Sequence, residues 1–168
     1  MENEILKIGE DLLKVIALPV VNFDENLLLL VNKMYSLMQK YYGVGLAAPQ
    51  IGISQRILVY GTTSNVGYPN TPDIPCNVLI NPVILQYSNK QEELLEGCLS
   101  VPNIRGPVNR SISIAGYAQD LTGKIIIFEE QGFLARIIQH EIDHLNGISF
   151  LQRIHDFSKV VFAQAHNP

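Results

Sequence analysis

The sequence predicts an α+β protein, with antiparallel β-sheets packed around a helix in the C-terminal half that carries an HExxH motif. Three observations carry that prediction. Short apolar runs at residues 56–60, 78–85, 111–120 and 124–129 follow one another with no helical period between them. The last two flank Asp120-Leu121-Thr122-Gly123, a turn sequence whose glycine suits a hairpin. Beyond them the period changes to three and four residues, through Phe133, Ile137, His140, Ile142 and Leu145, until Asn146-Gly147 supplies a left-handed stop. Strands grouped ahead of a helix, not alternating with helices, place the helix on antiparallel sheet.

Taken in order, residues 1–23 read as an arm with a short helical piece at Asp11-Leu12-Leu13-Lys14, closed by Leu18-Pro19. Asp24 stands at an N-cap, and Leu27, Leu28, Val31, Met34, Tyr35 and Met38 form a helical stripe to about Tyr41, a pattern that packs a core. Gly43-Val44-Gly45-Leu46-Ala47-Ala48-Pro49-Gln50-Ile51-Gly52 lacks the lysine and hydroxyl of a phosphate loop. Its glycines read either as a tight helix-to-strand turn or as a backbone edge for a substrate, with Gln50 offering amide hydrogen bonds. Residues 61–75, with Pro69, Pro72 and Pro75, read as a surface loop ending at a spectator cysteine, Cys76. Pro82 marks its strand as an edge or a bulge. Residues 94–102 are a second unusual stretch, in which Cys98 lies in a strand, and residues 148–168 hold a short apolar piece and a polar end.

The 168 residues suffice for one domain, 1–168, with a core of its own. A net charge of -4 with no Lys/Arg run leaves no electrostatic footprint for nucleic acid. The longest strongly apolar run, residues 27–31, is far short of a membrane span. The acidic start lacks the apolar stretch of a signal peptide, and two cysteines are too few for a disulfide framework. A reducing cytoplasm is the expectation, and there a thiol is more plausibly reactive or metal-bound than paired.

His140 and His144 sit one helical turn apart, so both imidazoles leave the same face and can hold one divalent metal. Glu141 lies between them, beside the open coordination position, where a carboxylate can take a proton from water. The competing reading is a surface helix that carries His and Glu for solvation, and the third ligand decides between the two. A metzincin would need a histidine at Phe150, and a thermolysin-like site needs a downstream Glu, of which there is none after Glu141. His155, Asp156 and His166 follow the helix stop in a polar tail and read as solvated surface. Upstream, Cys98 is the strongest candidate, since a thiolate is an excellent soft ligand, although a lone cysteine is commonly a small buried hydrophobe.

Gly43-Val44-Gly45-Leu46-Ala47-Ala48-Pro49-Gln50, Glu96-Gly97-Cys98-Leu99-Ser100 and Gln139-His140-Glu141-Ile142-Asp143-His144 resemble the three signature motifs of the peptide deformylase family, in order and comparably spaced. The resemblance runs from the N-terminal arm to about Ile154. It implies removal of the N-formyl group from the formylmethionine of newly made polypeptides, with release of formate. It implies Cys98, His140 and His144 as ligands of one divalent metal, Fe2+ natively, with Zn2+, Ni2+ or Co2+ as substitutes. Glu141 is then the general base and later the acid, and the Gln50 amide and Leu99 N–H are donors to the developing oxyanion. Gly45 and Gly97 match positions that pair with an extended peptide, and Val44, Leu94, Phe133 and Ile137 match walls of the methionine pocket. Arg105 matches a position that meets the peptide further along. Nascent N-formylmethionyl peptides are the implied partners, with transient ribosome contact, in a bacterial-type cytoplasm.

Two features depart from the commonest bacterial pattern: Arg136 replaces an apolar residue, and the tail after Ile154 is short. Two other functions keep the same helix. A metallopeptidase cutting internal bonds lacks its third His or Glu here. An inactive metal- or peptide-binding relative would have little reason to keep Gln50, Cys98 and Glu141 together.

Overall fold

The computed structural model describes residues 4–62 and 73–162. Most of the proline-containing loop, and His166 in the tail, lie outside the described residues. Helix α1 (Glu25–Lys40) begins where expected: Asp24 Oδ1 accepts from the N–H groups of Asn26 and Leu27 at 3.0 and 3.2 Å, satisfying donors the helix cannot use itself. Its buried stripe is Leu27, Val31, Met34, Leu37 and Met38; Leu28, expected in the stripe, is exposed, and Leu37 was not expected there. The helix ends in a Schellman turn, with Gly43 N–H on Met38 O (2.9 Å) and Tyr42 N–H on Gln39 O (3.1 Å). Tyr42 takes the left-handed position at φ 55° that glycine usually occupies.

The strands β1 (Gly45–Ala47), β2 (Ile57–Tyr60), β3 (Asn77–Tyr87), β6 (Ser113–Gln119) and β7 (Ile125–Gln131) form one antiparallel sheet in the order β1-β2-β3-β6-β7. A second sheet, β4 (Gln91–Cys98), β5 (Val101–Ser111) and β8 (Val161–Phe162), runs in the order β4-β5-β8. The large sheet lies between the two helices. Ile57 and Val59 of β2 join Leu27, Val31 and Met34 of α1, while Leu58 and Tyr60 join the cluster built on α2 (Gly132–Leu145). Alternate side chains thus enter opposite cores, which is why β2 reads as an unbroken apolar run.

Pro82 marks a bulge, not an edge. β3 is internal, and its register with β6 shifts between Ile80 and Val83. Asn81, at φ 50°, holds the bulge: its side chain exchanges hydrogen bonds with the Val20 backbone (2.8 and 2.9 Å) and donates to Gln119 Oε1 at 2.7 Å. The β6–β7 turn forms as expected, with Gly123 at φ 82° and Asp120 Oδ1 accepting from Thr122 and Lys124 N–H. No element is expected from the sequence at residues 103–110, which belong to β5 although the strand holds Pro102, Gly106 and Pro107. Ladder bonds from β4 and β8 override those local preferences.

α2 fills the core on the other face of the sheet from α1. Every residue from Ala135 to Leu145 is buried, and Ile137, Ile138, Ile142 and Leu145 each contribute about 1.5–3 kcal/mol by leaving water. Gly147 stops the helix at φ 71°, where a β-carbon would lie 2.6 Å from the Lys14 carbonyl. Among the described residues, no helix is long and apolar enough to cross a membrane.

Candidate active site

Cys98 closes β4, and a two-residue turn, Leu99-Ser100, leads into β5; the strand expected through this stretch is two strands joined at the cysteine. The turn delivers the Cys98 sulfur onto α2, 3.2 Å from His144 Nε2. His140 and His144 rings stand 5.1 Å apart, edge to face. The ligand atoms of Cys98, His140 and His144 all lie within 4.8 Å of one another, and no other such group occurs among the described residues. One sulfur and two imidazole nitrogens fit a single divalent ion and leave a coordination position open. His155 is exposed, and Asp156 is spent capping a short helix through Ser158 N–H (3.0 Å). Phe150, where a metzincin would carry its third histidine, is buried with its ring 6.0 Å from that of His140.

Glu141 faces β1. Its Oε2 is buried without a hydrogen-bond partner, and a β-carbon on Gly45 would come within 2.9 Å of Glu141 Cγ and Cδ. Glycine at position 45 therefore gives this carboxylate its space. Burial pushes the Glu141 carboxyl up to about 7, with His140 and His144 pulling it back only in part. Burial alone would raise the Cys98 thiol, but His144 and His140 outweigh it and hold the thiol well below its ordinary range.

Gln50 is oriented by its own loop. Ala47 N–H donates to Oε1 at 2.8 Å, so Nε2 turns to Ser100 Oγ (3.2 Å) and Cys98 Sγ (3.5 Å). Gly43 brings the chain against Leu99, where a β-carbon would lie 2.9 Å from Cδ1. Val44, Phe133 and Ile137 share one apolar cluster, whereas Leu94 is 44% exposed on β4 outside it. Gly97 pairs with Arg105 across β4 and β5.

A buried ionic network behind the ligands escaped the sequence reading. Glu96 Oε2 accepts from His140 Nδ1 at 2.9 Å, which commits the ring's other nitrogen to the ligand cluster. Arg110 donates to both oxygens of Glu96 (2.9 Å each) and to Asp143 (2.6 Å), and Arg153 closes on Asp143 at 2.6 Å. Arg136 is buried too, donating to Glu96 (2.8 Å), Val108 O (2.9 Å) and Glu92 O (2.6 Å). Glu96 is held well below the usual carboxylate range: burial opposes this, and His140 and Arg110 prevail. A polar cleft of about 550 Å³ opens beside Arg110, Asp143 and Arg153, but none of the three cluster residues lines it.

A thiol and two imidazoles gathered beside a buried, unpartnered carboxylate define a metallohydrolase site. The sequence profile described as polypeptide deformylase matches residues 2–160. Peptide deformylase 1 of Bordetella pertussis is 42% identical over 171 residues, covering 100% of this chain and 96% of that one. Peptide deformylase 2 of Ralstonia nicotianae is 41% identical, over 98% and 93% of the two chains. The Met-Ala-Ser-bound class I type b peptide deformylase of Acinetobacter baumannii superimposes with a TM-score of 0.86 at 42% identity, over 89% of this chain and 96% of that one. The chain belongs to the polypeptide deformylase family. Its reaction is the metal-dependent removal of N-formyl groups from nascent peptides, and the family implies one divalent metal ion.

Proposed function

We propose that Cys98, His140 and His144 hold that metal, ferrous iron in the cell, with zinc, nickel or cobalt able to replace it. The ligand cluster beside the unpartnered Glu141 oxygen is the observation that carries this assignment. When bound, the ion supplies Lewis acidity at the formyl carbonyl and lowers the pKa of water. Glu141 takes the proton as water adds to the formyl carbon, then returns it to the amine nitrogen as the C–N bond breaks and formate leaves. A carboxyl poised near 7 suits both transfers.

Gln50 Nε2 and the Leu99 N–H bind the formyl oxygen as its negative charge grows. The extended peptide lies between β1 and β4, each the terminal strand of its sheet and so offering an open backbone edge, with Gly45 and Gly97 at the contact. Binding of Met-Ala-Ser by the Acinetobacter relative supports this occupant. Val44, Phe133 and Ile137 bound the methionine pocket, Leu94 covers its rim, and Arg105 meets the peptide beyond the first residue.

Residues 1–168 act as one catalytic domain, with the site drawn from both sheets and α2. The protein works in a bacterial-type cytoplasm, touching the ribosome transiently as nascent chains emerge, and its net charge of -4 disfavours direct nucleic-acid binding.

Iron-loaded protein, prepared without oxygen, releases formate from formyl-Met-Ala. Protein that binds the metal yet leaves that peptide intact overturns the assignment. Gln50→Ala lowers kcat about 100- to 1,000-fold by removing one oxyanion donor. Metal content, read by elemental analysis, stays at the parent value.

A further inference from the structure

Three consecutive residues of the N-terminal arm reach the two segments that carry the site, Leu6 the one ending at Gln50, Lys7 and Ile8 the Leu99-Ser100 turn. Leu6 N–H donates to Gln50 O at 2.7 Å, Lys7 Nζ to Leu99 O at 2.8 Å, and Ile8 N–H to Ser100 O at 2.8 Å. Ile5, 1% exposed, anchors the arm in the α1 core. These bonds fall on both segments that carry the proposed oxyanion donors and on the residue following the metal-binding cysteine.

The Lys7 contact is the one made by a side chain. The Leu99 carbonyl it grips belongs to the peptide unit whose N–H, that of Ser100, donates to Cys98 Sγ at 3.4 Å. A charge-assisted bond at one end of a peptide unit strengthens the donor at the other end. It also restrains the backbone at Leu99, whose own N–H is the proposed donor to substrate. Ser100 Oγ in turn receives Gln50 Nε2, so a displaced turn would carry the second donor with it.

We infer that Lys7 is a positioning residue for the reaction, locking the Leu99–Ser100 peptide so that the oxyanion donors and the Cys98 sulfur hold their geometry. The inference rests on the roles proposed above for Leu99, Gln50 and Cys98.

Lys7→Met keeps the unbranched apolar stem but lacks the terminal amine and cannot donate; Lys7→Arg still can. With formyl-Met-Ala, Lys7→Met lowers kcat about tenfold or more, since small misplacements at a reacting centre cost heavily. KM stays within about twofold, because uniform binding of the peptide is untouched. The sulfur-to-metal absorption band of cobalt-loaded Lys7→Met shifts from the parent position, and Lys7→Arg restores most of the rate and the parent band. Parent-like kcat and band in Lys7→Met overturn the inference. So does an equal loss in Lys7→Arg accompanied by a lowered Tm, which makes Lys7 a fold contact only. A parent protein without formate release would instead sink the functional assignment, and the cobalt band would still decide the case for Lys7.

Discussion

Glu141→Gln lowers kcat for formyl-Met-Ala about 100- to 10,000-fold while each chain still takes up one metal ion. The substitution keeps the shape that packs against Gly45 but cannot accept a proton from water or return it to the amine. The proposed ligand atoms on Cys98, His140 and His144 are untouched, so uptake of metal survives. A buried carboxylate oxygen without a partner costs the folded state, and the variant accordingly melts at or above the parent temperature. Rate and stability moving in opposite directions separate a catalytic role from a structural one. Parent-like turnover in Glu141→Gln would remove this residue from the mechanism.

Glu96→Ala has the largest expected effect on stability. Glu96 is the meeting point of Arg110, Arg136 and His140, all buried, and its loss strips a counter-charge from two guanidinium groups at once. Breaking a buried pair by removing one partner costs about 3–5 kcal/mol. For a chain of this size that lowers Tm by roughly 10 °C, at about 2–4 °C per kcal/mol. The ring of His140 also loses the acceptor that orients it, so metal affinity falls about 10- to 100-fold. Thermal melts and competition with a chelator measure the two effects, and an unchanged melt would mean that the network rearranges around the gap.

The motifs on α2 were legible because helical spacing alone puts His140 and His144 on one face, and both the helix and its stop at Gly147 stand as read. Asp24, the β6–β7 hairpin and the α1 stripe were legible for the same reason: their signals are local. Convergence of Cys98 on the histidines was foreshadowed by elimination of other ligands, although the sharp turn at Leu99-Ser100 was not. The network on Glu96 was not legible. Its links join residues 14, 33 and 10 positions apart, across two strands, a helix and a short tail helix, and no periodicity encodes such pairings. Arg136 stood out as a charge in an apolar position, but only strands β4 and β5 beside it supply the partners that make it buryable. The Lys7 contact stayed invisible because its acceptor is a backbone carbonyl.

One run of chain, Ala135 to Leu145, is at once the centre of the hydrophobic core and the bearer of the reactive groups. Such a segment has no private hinge: fluctuations that expose it must dissolve the interior they belong to. Local melting, common in loops that carry function, is therefore closed to this half of the centre, and amide protons there exchange only as fast as the molecule as a whole comes apart. Whatever flexibility turnover demands has to come from the opposite bank of the cleft.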